Sequence, residues 1–376
     1  MSTTNEQSTI DVAAIEKELT TLWKRASEEE DGGVVRASIL NLLVYVPGDS
    51  DMGKLDEIMI DVTASHPCRA ILIIADHEAK QPVLTAEVTS RCTLPTPTSK
   101  QVCCEQVTIT ASESHLDEVP STLAPLLISD LPVYLWWRAV PKRLDKEMFG
   151  RLVDLSDRVI IDSALFNDPA DDIVNMAAVL TETPRWTALS DLNWARLTAW
   201  RALIAGFYDV ADYRPLLDQL NRVTIEYSPA AAGAGQIPAR ALLLGGWLAS
   251  RLGWRVAASQ AGPAGEFELT AGGRKVTVEF VTTRREIEPG HIALVTLATA
   301  ADESALFSVR RSGDAQRIET AVTLGEERKA QRVLGYEGLN ESELIGRELE
   351  ILGHDRVYEQ AVLAAADLIR GRRAGR

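Results

Sequence analysis

The sequence predicts two domains of mixed class. Residues 1–188 read as an α/β domain with a mainly parallel sheet. Residues 189–376 read as an α+β domain with an antiparallel sheet and terminal helices. Three observations carry this. A chain of 376 residues exceeds the size at which one core usually stops growing. Helical and strand patterns alternate from Val34 to Asp162, as in layers built on parallel strands. From Trp254 onward the pattern turns to short strands with a two-residue turn signal at Gly272-Gly273.

In chain order, Ile15, Leu19 and Leu22 stand at helical spacing, and the acidic run Glu28 to Asp31 with Gly32-Gly33 ends that helix. Val34 to Val46 is mostly apolar and closes at the Pro47-Gly48-Asp49 turn. Leu55, Ile58, Met59 and Val62 place a helix over 51–65. Arg69 to Ala75 contains five consecutive apolar residues, the mark of a strand covered on both faces. Val83 to Thr93 and Gln101 to Thr110 are rich in Val, Thr and Ile and flank the Leu94 to Thr98 turn, so they read as neighbouring strands. A helix over 116–128, a strand over 132–137, a helix over 142–155 and a strand over 158–162 follow. Asp168 to Glu182 is helical and breaks at Thr183-Pro184. A single helix is expected over Asp191 to Asp209, with Trp194, Leu197, Trp200, Leu203, Ile204 and Phe207 on one broad face. Arg222 to Tyr227 is a strand, and Pro238 opens a helix that runs to Arg251 and ends at Gly253. Strands are expected near 267–270, 275–280, 291–297, 306–310 and 317–323. The final 50 residues are expected to be helical.

Composition narrows the function classes. The net charge is −15, which disfavours nucleic acid and anionic membrane as partners, since both need a basic surface. The acidity is uneven, with 30 acidic and 16 basic residues in 1–190 against 24 and 23 in 191–376. No apolar stretch approaches the roughly 20 residues that span a bilayer, and Met1 to Thr9 lacks the features of a signal peptide. The cytoplasm is the expected location. All four cysteines lie in the first third, without the spacing of a zinc ribbon or a Cys-x-x-Cys pair. Free, buried or half-buried thiols are expected, with a Cys92–Cys103 redox bridge as the alternative, one for which the spacing gives no specific support.

No catalytic, cofactor-binding or metal-binding constellation emerges. Gly233-Ala-Gly235 lies between a strand and a helix but lacks the remainder of a phosphate-loop pattern. In Ser65-His66-Pro67-Cys68-Arg69 the intervening proline leaves a Cys–His nucleophile pair unsupported. The economical account is a turn, with His66 and Arg69 as candidate anion-binding residues. The densest feature is aromatic: five of eight tryptophans fall between Trp136 and Trp200, with arginines beside them. Trp and Arg are enriched where protein surfaces bury one another. The candidate partner interface, or an inter-domain seam, therefore comprises Trp136, Trp137, Arg138, Asn193, Arg196, Trp200 and Arg201. Core packing competes with that reading for Trp194, Leu197, Trp200 and Phe207. Trp136 and Trp137, adjacent on a strand, point to opposite faces. Arg196 and Trp200 have the spacing of a stacked cation–π pair on a helix.

These residues also carry a resemblance. Asp130-Leu-Pro-Val-Tyr-Leu-Trp-Trp137, Asp157-Arg-Val-Ile-Ile-Asp-Ser163 and Asp191-Leu-Asn-Trp-Ala-Arg-Leu-Thr-Ala-Trp-Arg201 are similar to segments of the glucose-6-phosphate dehydrogenase assembly protein family, OpcA. The likeness continues through Ala241 to Trp254 and Glu348 to Glu359, and Ser65-His66-Pro67-Cys68-Arg69 fits as well. It implies a non-catalytic, cytoplasmic assembly factor and allosteric activator of glucose-6-phosphate dehydrogenase in the oxidative pentose phosphate pathway, needing no cofactor. Redox control is associated with cyanobacterial members, but this chain has no cysteine beyond Cys104, which rules out a control disulfide in its C-terminal half. The alternative from a different class is a sugar-phosphate-binding enzyme or metabolite sensor using Arg69 and the Gly233 to Gly235 loop. Self-association is left open.

Overall fold

The computed structural model describes residues 10–29, 34–93, 101–139, 146–182, 187–229, 235–257, 263–299, 304–313, 316–336 and 338–374. Two compact units emerge, and neither is one continuous stretch of chain. The first comprises 1–161, 183–190 and 340–354; the second comprises 162–182, 191–339 and 355–376. The sequence reading cuts the chain once, between 188 and 189. The chain instead changes unit several times, because two helical segments pack away from their sequence neighbours.

The first unit is built on an eight-stranded sheet. Its path runs β1 (Val34–Arg36), β5 (Gln101–Ser112), β3 (Cys68–Asp76), β2 (Leu40–Pro47), β6 (Val133–Trp137), β7 (Arg158–Ile161) and β8 (Ala188–Asp191), with β4 (Leu84–Thr93) beside β5. The pairs β1–β5, β5–β3, β3–β2, β2–β6 and β6–β7 are parallel, and β4–β5 is antiparallel. The unbroken apolar run of β3 is buried along nearly its whole length, as a strand covered on both faces requires. Asn41 is fully buried in β2 and satisfies its amide on Ile128 and Leu131 carbonyls and the Ile128 amide.

Helix α2 (Met52–Ser65) begins where the Asp51 side chain accepts the Lys54 amide at 3.0 Å, and it buries Leu55, Ile58, Met59 and Val62. Helix α10 (Glu341–Glu350) belongs to this unit and packs on α2. It opens with a reciprocal capping box between Asn340 and Glu343, which satisfies two otherwise orphaned amides. The helix expected over 116–128 is broken into a 3₁₀ turn (113–118), the short α3 (Val119–Leu123) and another 3₁₀ turn (124–126). Pro120 and Pro125 each sit at the start of a piece, where the missing amide does least harm. Cys92 and Cys103, directly opposite across β4 and β5, form a disulfide, whereas Cys68 and Cys104 are free and buried. This corrects the expectation of thiols throughout: pairing across a strand needed the register, which spacing does not give.

The second unit carries an eight-stranded sheet ordered β10 (Arg255–Val256), β11 (Glu266–Ala271), β12 (Arg274–Thr282), β9 (Leu220–Tyr227), β13 (Ile292–Thr299), β14 (Ala305–Arg311), β15 (Arg317–Leu324) and β16 (Glu327–Gly335). It is antiparallel except where β12 runs parallel to β9. Gly272 and Gly273 turn β11 into β12 with φ of 56° and 85°, the two positive values a type I′ hairpin demands. Helix α9 (Ala239–Arg251) crosses α11 (Arg356–Ala374) at Gly246, where an added Cβ would meet the Ala361 carbonyl oxygen at 2.2 Å. Helix α5 (Pro169–Glu182) packs on both.

Strand β16 overturns the expectation that residues 327–335 are helical. Its Glu, Arg, Lys, Ala and Gln favour helix intrinsically, but pairing along β15 decides the matter. Both faces of this edge strand are largely exposed, so no alternation marks it. The single helix expected over 191–209 is also corrected. It is interrupted at Arg196-Leu197, giving α6 (Leu192–Ala195) and α7 (Thr198–Phe207). Among the described residues, no helix is long and apolar enough to cross a membrane.

Candidate functional site

In the first unit, Trp136 and Trp137 are 1% and 2% exposed. They do face opposite ways, but the sheet is covered on both sides and both rings are core. Trp137 stacks on its cross-strand neighbour Tyr45, with centroids 3.8 Å apart and planes 5° apart, and meets Phe149 edge-on at 5.1 Å. The Trp137 indole N–H is buried without a hydrogen-bond acceptor. Arg138 is half-buried; its guanidinium carbon lies 4.8 Å from the centre of the Trp136 ring, and Nη2 donates to Glu341 at 3.2 Å.

His66 and Arg69 do not form a common anion site. Arg69 is buried and engaged on three sides: Nε donates to Glu105 at 2.6 Å, and Nη1 donates to Glu16 at 3.0 Å and to the Leu126 carbonyl at 2.6 Å. Arg36 holds the other oxygen of Glu105 at 2.6 Å. An arginine so neutralised is structural, which corrects the anion-binding expectation. His66 instead lines a cleft of about 510 Å³ with Asp61, Glu343 and Glu350, and its Nε2 is 3.5 Å from Glu350. Carboxylates outnumber cations there, so an anion would be repelled.

The second unit gathers the remaining candidates. Asp191 ends β8 and starts α6. Its Oδ1 accepts the Ser163 and Asn193 amides at 3.0 and 2.9 Å, and Tyr358 points its hydroxyl at Oδ2 from 3.5 Å. Burial, then the nearby charge of Asp162, pushes the Asp191 carboxyl up to about 6, against the pull of its hydrogen bonds. Asp162 takes both Nη groups of Arg196, at 2.7 and 2.9 Å, a bidentate fork with planar specificity. Asn193 is 2% exposed; its Nδ2 donates to Ser163 Oγ at 3.1 Å and its Oδ1 accepts from Arg240 Nε at 2.7 Å.

The expected Arg196–Trp200 stack is absent because the break at Arg196-Leu197 changes the rotation between the two helices. The stack forms one pair over: Arg201 lies 3.6 Å from the centre of the Trp194 ring, whose N–H donates to Asp355 at 2.8 Å. Trp200 is buried at 3% exposure. Thus Trp136, Trp137, Asn193 and Trp200 are interior, while Arg138, Arg196 and Arg201 keep part of their surface.

Sequence reasoning passed over Arg240, which is 7% exposed on the first turn of α9. Nothing distinguishes it in the sequence from an ordinary helix-starting arginine. Arg311, 8% exposed, and His291 complete the basic group: Glu288 reaches His291 Nε2 at 3.2 Å and Arg311 Nη2 at 3.8 Å. Burial, then Arg240 and Arg311, pushes the His291 imidazole down to about 4 despite Glu288. Burial and then Arg196 lower the Arg240 guanidinium to about 10. Of the glycine loop, Gly233 lies outside the described residues. Gly235, at φ 94°, borders a cavity of about 680 Å³ with Phe267, Phe280 and Arg372. Arg372 is held by the Glu266 and Pro263 carbonyls and stacks 5.1 Å over Phe267.

Comparison with known proteins adds the family. Residues 60–178 match the model described as glucose-6-phosphate dehydrogenase subunit N-terminal domain, and residues 187–362 match the model of its C-terminal domain. The chain belongs to the OpcA family. A Synechocystis relative, provisionally named OxPP cycle protein OpcA, is 26% identical over 88% of this chain and 69% of its own length. A Nostoc punctiforme protein of the same name is 27% identical over 82% of this chain and 67% of its own. Among solved structures, a transcriptional regulator Gal80p from Kluyveromyces lactis aligns with a TM-score of 0.48 at 10% identity, over 94% of this chain and 96% of its own. An NAD-binding oxidoreductase from Klebsiella pneumoniae aligns with a TM-score of 0.48 at 11% identity, over 89% and 96% of the two chains.

Proposed function

We propose that this OpcA-family chain is a non-catalytic assembly factor and allosteric activator of glucose-6-phosphate dehydrogenase, acting in the oxidative pentose phosphate pathway. The observation that carries this is the pair of family matches, both described as domains of a subunit of that enzyme and together covering most of the chain. The relatives' OxPP cycle names support the same pathway.

An assembly factor works by linkage. It binds the active form of its target better than the inactive form and shifts the equilibrium by that difference, about 1.4 kcal/mol for each factor of ten. Of the seven candidate contact residues, we carry forward Arg138, Arg196 and Arg201, which keep exposed surface over aromatic or carboxylate supports. The buried rings beneath them are read as the floor that fixes these guanidinium groups.

The test is a titration of this protein into the dehydrogenase of the same organism, following rate and particle mass together. A rise in velocity with a change in mass is expected. Unaltered velocity and mass, or turnover of a pentose-phosphate intermediate by this protein alone, would overturn the reading.

A further inference from the structure

The first sheet carries an expectation of its own. Apart from β1 and β4, which pair with β5, its strands lie in the order β5, β3, β2, β6, β7, β8. Of these, β2 comes first in the chain; β3 and β5 follow on one side of it, and β6, β7 and β8 on the other. Dinucleotide-binding sheets share this order, and their ligand lies beyond the carboxyl ends of the strands where the winding changes side. Here that point falls between β2 and β6. Arg138 marks it, since its amide, directly after β6, donates to the Tyr45 carbonyl of β2 at 3.0 Å.

The turn leaving β2 reads Gly48-Asp49-Ser50-Asp51-Met52-Gly53, against the Gly-x-Gly-x-x-Gly of such folds. Both outer glycines are present, and the first is required: a Cβ there would meet the Ala75 carbonyl oxygen at 3.0 Å. Asp76 ends β3, where these folds hold an acidic partner for a ribose. The parts that touch phosphate are changed. The middle glycine, whose missing Cβ admits the pyrophosphate to the backbone, is Ser50. Asp49 and Asp51 flank it. Asp51 also caps α2, accepting the Lys54 amide at 3.0 Å, so a carboxylate already takes the anion place at this helix start.

A further carboxylate arrives from far along the chain. Glu341, on the first turn of α10, lies 3.8 Å from Lys54 Nζ through one oxygen and accepts Arg138 Nη2 at 3.2 Å through the other. The Arg138 and Glu341 side chains are 16% and 23% exposed, so salt screens this pair little. Lys54 and Arg138, the cations brought to the switch point by α2 and by the end of β6, thus both face a carboxylate of the chain itself. A pyrophosphate would add its charge to Asp49, Asp51 and Glu341 and find both cations engaged. The dinucleotide does not fit.

We infer that Asp51 and Glu341 fill the phosphate place of this crevice, so that a sheet of dinucleotide-binding type serves here as scaffold and holds no NAD or NADP. The inference concerns the first unit alone and stands whether or not the chain acts on the dehydrogenase.

The test titrates NADPH, NADH and ADP separately into the full chain by calorimetry. No saturation is expected up to about 1 mM. Saturable binding with slowed hydrogen exchange over 47–54 would overturn the inference, and that arm needs no variant. The triple variant Ser50→Gly, Asp51→Ser, Glu341→Gln restores the middle glycine, keeps a capping oxygen and frees Lys54 and Arg138. With an unchanged circular dichroism spectrum, it should bind NADPH at least about tenfold more tightly than the parent, bringing saturation into the range where the parent shows none. A folded triple variant as inert as the parent would show that other groups close the crevice, and would sink the assignment.

Discussion

At the residue scale, a half-buried histidine and a buried aspartate set opposing pH dependences. His291, pushed down to about 4, is kept neutral by the fold, while an unfolded chain binds a proton below about 6.5. The unfolded state therefore holds more protons between those values, and stability from this group is complete above 6.5 and lost as pH falls toward 4. Asp191, pushed up to about 6, acts in the other direction: the folded state holds the extra proton, so stability from this group falls as pH rises from the ordinary carboxylate range toward 6. The two partly cancel between 4 and 6. Asp191→Asn keeps an acceptor for the Ser163 and Asn193 amides and removes the titration. We expect the variant to lose stability more steeply than the parent as pH falls from 6 to 4, by on the order of 1–2 kcal/mol across the window. Urea unfolding at stepped pH measures it, and parallel curves would refute the assignment. The sequence placed Asp191 and Asn193 in one motif but could not show their burial. Arg240 was invisible for the same reason, since its hydrogen-bond partner Asn193 lies 47 positions away along the chain.

At the scale of elements, patterning revealed those elements with one dry face or two. The double-sided burial of β3, the α2 face and the Gly272-Gly273 hairpin all follow from residues a reader can point to. Failures came where tertiary contacts outweigh local preference. Strand β16 is composed of helix formers, and the break between α6 and α7 leaves no mark on the apolar spacing. Two devices hold elements together and can be tested. The Cys92–Cys103 link closes a short loop between β4 and β5, for which chain entropy gives roughly 2–3 kcal/mol. Reductant should lower the free energy of unfolding by that amount in guanidinium titrations, and Cys92→Ser should show the same loss without responding to reductant. The α9–α11 crossing relies on Gly246, whose Cβ would strike backbone rather than a movable side chain. Gly246→Ala should therefore destabilise by about 1–3 kcal/mol despite its better helix propensity. A gain in stability would mean that the helices separate freely at that point.

At the scale of the whole molecule, nothing in the residue pattern warns that 340–354 joins the first unit or that 162–182 joins the second. Helix partners are chosen by packing, and one sequence without its contacts cannot report them. Charge, by contrast, is legible at this scale. Residues 1–190 carry 30 acidic and 16 basic groups, against 24 and 23 in 191–376. If the chain engages the dehydrogenase as proposed, that acidity acts over distances of a Debye length, about 8–10 Å near physiological salt, and so on the encounter more than on the docked state. Rim charges of this kind govern association rates, whereas desolvated anchors govern dissociation. The association rate constant should therefore fall by roughly tenfold or more as salt is raised from low to several hundred millimolar, while dissociation changes little. Arg201→Ala should behave the other way, since it removes a guanidinium stacked on Trp194: faster dissociation, with the salt slope of association retained. Stopped-flow or surface-binding kinetics over a salt series separates the two. An association rate indifferent to salt would show that the uneven charge has no part in finding the partner. Arg201→Ala dissociating at the parental rate would move the contact surface away from α7.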